Sequence, residues 1–115
     1  MDTRRKIVSP EAARGGIEKV VVGYFDPLYA DNVLRLLEIS AGERITVVVV
    51  DRTEALLPLR ARAELVAALA CVEQVILSDD NLEQLRAARV FDERETDERR
   101  TRELSAHIVE RYRPE

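Results

Sequence analysis

Four consecutive valines, Val47 to Val50, constrain the fold of this 115-residue chain more than any other feature. They lie in a β-branched segment, residues 44–51, that shows no alternation of apolar and polar positions. A strand of this kind is buried on both faces, which is typical of a central strand in a parallel sheet. Because parallel strands need long crossover connections, we expect helices between this strand and its neighbours.

The rest of the chain alternates between short β-branched runs and helical patterns. The predicted strands are residues 18–25, 44–51, 74–77 and 89–91. The predicted helices are residues 9–15, 32–40, 59–71, 81–89 and 92–113. In the helix predicted over 32–40, the side chains expected to face the core are Val33, Leu36, Leu37 and Ser40. In the helix predicted over 59–71 and just after it, they are Leu65, Leu69 and Val72.

Strands that alternate with helices in this way form right-handed βαβ units. We therefore expect one α/β domain over residues 1–115, a Rossmann-like three-layer α/β/α fold with a short parallel sheet. Its core covers residues 6–91, and a long, charged, amphipathic helix covers residues 92–113. Ligands of such sheets bind beyond the carboxyl ends of the strands, so the end of the first predicted strand is the expected site.

Charge and composition exclude several classes of function. The formal net charge of −4 argues against a nucleic-acid binder, and the longest apolar run is too short to span a membrane. The only cysteine, Cys71, is expected to be a small buried side chain, and a cytoplasmic location follows from the lack of a disulfide framework and of a signal peptide. The only histidine, His107, lies in no ligand cluster, so no metal site is expected.

The end of the first predicted strand carries a recognisable motif. It reads Gly23-Tyr24-Phe25-Asp26-Pro27-Leu28-Tyr29-Ala30-Asp31-Asn32-Val33. This resembles the G-x-F-D-x-L-H-x-G-H-[VI] signature of the cytidylyltransferase-like nucleotidyltransferases, and most closely the adenylyltransferase domain of bifunctional heptose-phosphate kinase/adenylyltransferases. Residues 36–47 and 62–76 are similar to the same domain. The resemblance covers residues 6–91 and implies the HUP/nucleotidyltransferase type of Rossmann-like fold.

The departures from that motif concern phosphate chemistry. The resemblance implies two histidines that donate to the nucleotide phosphates as pyrophosphate leaves, but Tyr29 and Asn32 stand at their positions. One positioned donor to developing charge is typically worth about 10²–10³ in rate. Asp31 replaces the motif glycine, and we expect its carboxylate to cap the following helix and to occupy the phosphate position. Asn32 and the Tyr29 hydroxyl remain able to donate one hydrogen bond each.

The other candidate nucleotide-binding residues flank the ends of the first two strands; they are Tyr24, Phe25, Asp26, Asp51, Arg52, Arg60 and Arg62. Asp26 either serves phosphate chemistry, as the resemblance implies, or shapes the turn. Arg52 and Arg60 are the possible substitutes for a lysine that the resemblance places after the second strand. Arg62 matches a helix arginine of the family, and pairing with an acid is favoured over ligand binding. The family's late segment is missing, so the domain is expected to be truncated there and to end in the charged helix.

Three functions are consistent with these observations. The favoured one is a degenerate domain without nucleotidyl transfer, with no certain cofactor, that serves as a ligand-binding, regulatory or assembly module for a nucleotide or a small phosphorylated ligand. The alternative is an active nucleotidyltransferase that uses Mg²⁺ with ATP or CTP and a site rebuilt from Tyr29, Asn32, Arg52 and Arg60. The third is an interaction protein whose helix over residues 92–113 pairs with a second copy, as a dimer, or with a partner protein.

Overall fold

The computed structural model describes residues 2–10, 19–78, 89–99 and 102. Its strands are β1 (Ile7–Val8), β2 (Lys19–Gly23), β3 (Ile45–Val50), β4 (Val72–Ser78) and β5 (Arg89–Asp92). Its helices are α1 (Ala30–Ser40), which joins β2 to β3, and α2 (Leu59–Ala67), which joins β3 to β4; a 3₁₀ turn, Thr3–Lys6, precedes β1. All strand pairs are parallel and the order is β1-β4-β3-β2-β5, an α/β architecture compatible with a Rossmann-like fold.

The valine strand lies at the centre of this sheet, as its sequence predicts. All six residues of β3 are buried, and β3 pairs with β2 on one side and with β4 on the other. Val47 and Val49 pack on one face of the sheet with side chains of α1 and α2. Val48 and Val50 pack on the opposite face. Burial on both faces explains why this strand contains no polar alternation.

The helices begin near the predicted residues, but their buried faces match the prediction only in part: Leu36, Ser40 and Val72 are buried as expected. In α1 the buried residues are Asn32, Leu36, Ile39 and Ser40, whereas Leu37 is 52% exposed. In α2 they are Arg62, Ala63, Val66 and Ala67, whereas Leu65 is 46% exposed. Both predicted stripes followed the largest apolar side chains. The helices are rotated instead to bury a polar residue, Asn32 or Arg62, which has specific hydrogen-bond partners.

Several predicted boundaries are wrong or fall outside the described residues. Helix α2 ends at Ala67 rather than at Cys71, which is half-buried. Of the charged helix predicted over 92–113, Asp92 closes β5, residue 93 is not helical, and residues 94–99 and 102 are helical. Residues 100, 101 and 103–113, with His107, lie outside the described residues. Of the helices predicted over 9–15 and 81–89, the described residues 9, 10 and 89 are not helical and the others lie outside the description. The two-residue strand β1 was too short to be predicted.

The strand order defines a switch point. From β2 the chain moves outward through β3 to β4, and β5 then lies on the other side of β2. The carboxyl ends of β2 and β5 therefore flank the position at which ligands of open parallel sheets bind. Immediately after β5, the Glu93 N–H donates to the Val22 carbonyl at 2.7 Å, which holds the two strand ends together.

Candidate functional site

The segment after β2 presents two adjacent backbone N–H groups to one carboxylate oxygen. Phe25 is buried and has a positive φ of 49°, a conformation that a bulky side chain rarely adopts. The N–H groups of Tyr24 and Phe25 donate to Asp97 Oδ2 at 2.9 and 3.4 Å. Phe25, with its left-handed backbone conformation, thus lies where the chain turns around Asp97 Oδ2.

The same carboxylate also contacts the first turn of α1. Asn32 Nδ2 donates to Asp97 Oδ1 at 2.8 Å, and Asn32 Oδ1 accepts from the Tyr29 N–H at 2.9 Å. Asp97 is 3% exposed. One buried carboxylate therefore receives neutral donors from the end of β2 and from the N-terminus of α1, which carries positive helix-dipole charge.

Gly23 provides the room for this contact. A Cβ at Gly23 would lie 2.6 Å from Asp97 Oδ2 and 2.8 Å from the Phe25 ring. No such approach is tolerated between real atoms, so any larger residue would displace the carboxylate or the ring. The glycine is required here for space, since its backbone is ordinary strand.

Asp31 does not have the role that the sequence predicted. Tyr29 is the N-cap residue of α1, and Asp31 is an exposed residue of the first turn. The carboxylate on the backbone N–H groups belongs to Asp97, which lies 66 positions further along the chain and was not among the candidates. Nothing in its local sequence distinguishes Asp97 from the acids around it. The Tyr29 hydroxyl is buried and makes no hydrogen bond within the described residues.

Asp26 shapes the loop that follows β3. It is 2% exposed, and its two oxygens accept from the backbone N–H groups of Leu56 and Leu57, both at 2.8 Å. Arg52 Nη1 lies 4.0 Å from Asp26 Oδ2. These hydrogen bonds support the interpretation that Asp26 shapes the turn, since each of its two carboxylate oxygens accepts from a backbone N–H.

Arg62 joins the carboxyl ends of two strands. The side chain is fully buried, and Nη1 donates to the Val50 carbonyl at 2.9 Å and to the Tyr24 carbonyl at 3.0 Å. Its Nε donates to the Leu57 carbonyl at 3.0 Å, and Nη2 donates to Asp51 Oδ1 at 3.3 Å. The favoured interpretation, a structural arginine, is consistent with this geometry, because the guanidinium has no surface for a ligand.

Arg60 and Arg52 differ in position. Arg60 is exposed on α2 and pairs with Glu64 at 3.5 Å. The Arg52 guanidinium lies over the Tyr24 ring, 5.1 Å from its centroid, and Nη1 is buried without a hydrogen bond in the described part of the chain. Of the two possible lysine substitutes, Arg52 contacts other candidate residues, Tyr24 and Asp26, whereas the ion pair of Arg60 is with Glu64 on its own helix.

Two open pockets adjoin Tyr24 at this edge. One, of about 380 Å³, is lined by Tyr24, Asp51, Arg52, Thr53, Glu54 and Glu98. The other, of about 450 Å³, is lined by Tyr24, Asp92, Arg94, Glu95 and Glu98. Carboxylates outnumber guanidinium groups along both linings, and the Arg94 guanidinium lowers the pKa of the Asp92 carboxyl, which keeps it ionised. Both pockets are therefore electrostatically unfavourable for a polyphosphate.

Seven of the ten candidate residues thus meet in three groups. Tyr24, Phe25 and Asn32 meet at Asp97; Asp26 meets Arg52; and Asp51 meets Arg62. Asp31 and Arg60 lie on the surface. Within residues 2–10, 19–78, 89–99 and 102, no three metal-ligating side chains come together.

No family model matches this chain, and no curated protein matches it. Among the described residues, no helix is long and apolar enough to cross a membrane.

Proposed function

We propose that this chain is a cytidylyltransferase-like nucleotidyltransferase domain that does not transfer nucleotides and that serves as a binding or assembly module in the cytoplasm. The observation that carries the proposal is the Asp97 carboxylate. It takes up the N–H groups of Tyr24 and Phe25 and the amide of Asn32, the residue at the motif's second histidine position. A phosphate that approached these donors would meet a fixed negative charge at hydrogen-bond distance.

The cationic residues add to this argument. A nucleotidyltransferase needs positive charge that is free to face the phosphates of its transition state. Arg62 is buried and donates to three carbonyls, and Arg52 lies over the Tyr24 ring beside Asp26. Neither guanidinium offers an open face comparable to that of a mobile lysine. In each of the two pockets beside Tyr24, three carboxylates face one guanidinium group.

The family assignment within this proposal has its own support. The order of the parallel sheet is compatible with a Rossmann-like domain, and the motif begins at Gly23, the last residue of β2, beside the switch point. In our proposal, the charged residues after β5 take the place of the family's late catalytic segment, and the helix that begins at residue 94 continues toward residue 113. Its Arg- and Glu-rich surface would then supply the contacts to a second copy or a partner protein.

The proposal is tested with purified full-length protein, Mg²⁺, ATP or CTP, and a sugar phosphate as acceptor. We expect no pyrophosphate release above the protein-free blank, and no rise in melting temperature with millimolar nucleotide, since a bound ligand would stabilise the folded state. Asn32→Ala tests the site, and Arg44→Ala, an exposed residue just before β3, is the surface control. Pyrophosphate release that Asn32→Ala abolishes and Arg44→Ala preserves would overturn the proposal in favour of an active, rebuilt enzyme.

The assembly role is tested separately, by light scattering of the full chain over a range of protein concentrations. A mass of two protomers supports pairing between copies. A monomer at every concentration restricts the module to ligands and to other proteins.

A further inference from the structure

We infer that the outer edge of β5 binds the same edge of a second copy of this chain, antiparallel and centred on Phe91, so that the two parallel sheets become one. The inference rests on the assembly role within the proposed function and deepens it. It names the partner, a second copy, and it places the contact on the backbone of β5 rather than on the charged helix.

β5 is an exposed edge strand. It is last in the sheet order and pairs with β2, and within residues 2–10, 19–78, 89–99 and 102 no strand lies on its other side. Arg89, Val90 and Asp92 are exposed, and Val90 is 57% exposed although it is apolar. The strand at the opposite edge, β1, has only two residues. Of these two edges, β5 therefore offers the longer row of backbone groups to another chain.

Val90 and Asp92 direct their backbone groups outward. Immediately after β5, the Glu93 N–H donates to the Val22 carbonyl, so residue 93 faces β2. Because successive residues of a strand in a parallel ladder face alternate sides, Phe91 also faces β2. The N–H and C=O groups of Val90 and Asp92 thus point away from β2, and in the described part of the chain they have no strand partner.

Symmetry restricts the register in which two such edges can pair. A contact between identical surfaces has a two-fold axis, and since directly opposed side chains share one face of the sheet, antiparallel pairing is centred on one residue. When that residue is Phe91, Val90 of each copy lies opposite Asp92 of the other, and the two exchange both backbone hydrogen bonds. Pairing centred on Val90 would instead place Asp92 opposite residue 88, which precedes the strand.

The side chains are complementary in the register centred on Phe91. Arg89 lies opposite Glu93 of the second copy at both ends of the contact. Arg35 Nε donates to Glu93 Oε1 at 2.6 Å, and among the described residues no group donates to Oε2. The two Phe91 rings meet at the axis, where opposed side chains approach each other most closely. The Asp92 carboxylate is paired with Arg94 of its own chain at 2.7 Å, so it does not enter the contact as an unpaired charge.

The first test is sedimentation equilibrium of the full-length protein over a range of concentrations. Because the contact is short and both strands are already held in sheets, we expect monomer and dimer in equilibrium. Arg89→Glu places two acids opposite each other at both ends of the contact, so it should raise the dimer dissociation constant at least about tenfold. Arg44→Glu, the same charge change at an exposed residue just before β3, should leave this constant unchanged. A wild type that stays monomeric up to about 1 mM, or equal dissociation constants for the two variants, would overturn the inference.

Disulfide trapping tests the register. In a Cys71→Ser background, Phe91→Cys places two thiols in a directly opposed pair whose Cα separation of about 4.5 Å a disulfide can span. Val90→Cys is the matched control, because the two copies of residue 90 then lie more than about 7 Å apart. After mild oxidation, we expect a covalent dimer on a non-reducing gel from Phe91→Cys alone. A covalent dimer of Val90→Cys, or none from either variant when both are folded by circular dichroism, would overturn the inference.

Phe91 packs against the core, so its substitution is the more disruptive one. If Phe91→Cys does not fold, the sedimentation of Arg89→Glu, at an exposed position, decides. A monomeric wild type would contradict this inference and would leave the absence of nucleotidyl transfer untouched. Pyrophosphate release would contradict the proposed function and would leave the β5 contact unaffected. A dimer that Arg89→Glu does not weaken would place the contact on another surface and overturn the inference.

Discussion

Asn32 and Asp97 lie 65 positions apart in the sequence and meet through a buried hydrogen bond of 2.8 Å between Nδ2 and Oδ1. The bond ties the first turn of α1 to the segment after β5, across the switch point of the sheet. Because both side chains are buried and Asp97 also holds the end of β2, these three elements depend on one another for stability.

Gly23→Ala should be strongly destabilising, because its new Cβ would lie within 2.9 Å of the Asp97 carboxylate and of two atoms of the Phe25 ring. The carboxylate is held by three donors and the ring is buried, so neither can move without losing contacts. Overpacking of this kind costs about 1–3 kcal/mol, and loss of the hydrogen bonds would add to it. Urea unfolding monitored by circular dichroism measures the loss.

The matched control is Gly42→Ala. Gly42 has a positive φ of 85° and nothing lies within 4 Å of a Cβ there, so only the backbone conformation is penalised. The expected cost is about 1–2 kcal/mol. If Gly23→Ala were the milder of the two substitutions, the close approach to Asp97 would not matter for stability.

Arg62→Ala should cost about 2–5 kcal/mol, because it removes three hydrogen bonds to carbonyl oxygens and opens a cavity between the strand ends. The bond to the Val50 carbonyl is buried, and those to the carbonyls of Tyr24 and Leu57 are partly buried. Arg60→Ala, on the same helix, removes only an exposed pair with Glu64 and should change stability by less than about 0.5 kcal/mol. Equal effects of the two substitutions in urea unfolding would contradict the structural role of Arg62.

Asp26→Asn should loosen the loop after β3, because an amide keeps only one acceptor oxygen for the N–H groups of Leu56 and Leu57. The N–H that faces the new amide donor loses its partner, at a cost of about 1–3 kcal/mol. Hydrogen exchange should accelerate at Leu56 or Leu57. In the control Asp31→Asn, which alters an exposed acid, the exchange at these two amides should not change.

The sequence predicted the sheet well and the site only in part, for a physical reason. Burial of β3 on both faces is visible in the local sequence as a run of valines, which a window of a few residues is enough to detect. The partners of Asp97 lie 65 to 73 positions away, so its role depends on the tertiary fold and leaves no local trace. Pairing of Arg62 with an acid was expected, but its hydrogen bonds to three backbone carbonyls were not, because they depend on the tertiary fold. The buried face of α2 was misjudged because this arginine is buried and the expected Leu65 is not.

The thiol of Cys71 should make the stability of the fold depend on pH above neutrality. Its thiol is half-buried, and burial raises its pKa, an effect that the nearby Lys6 ammonium partly opposes. An unperturbed cysteine titrates near pH 8.5, so above about that pH the unfolded chain loses its thiol proton before the folded chain does. The unfolded state is thereby favoured, and stability should fall as the pH rises from about 8 through the raised pKa of the folded thiol. Urea unfolding between pH 7 and 10 measures this decline in stability, and Cys71→Ser, which lacks the titrating thiol, should show a smaller decline.

Alkylation of Cys71 by iodoacetamide at pH 8.5 should be slower for the folded protein than for the urea-unfolded chain, because the thiolate is the reactive form. Equal alkylation rates would mean that the fold does not protect this thiol.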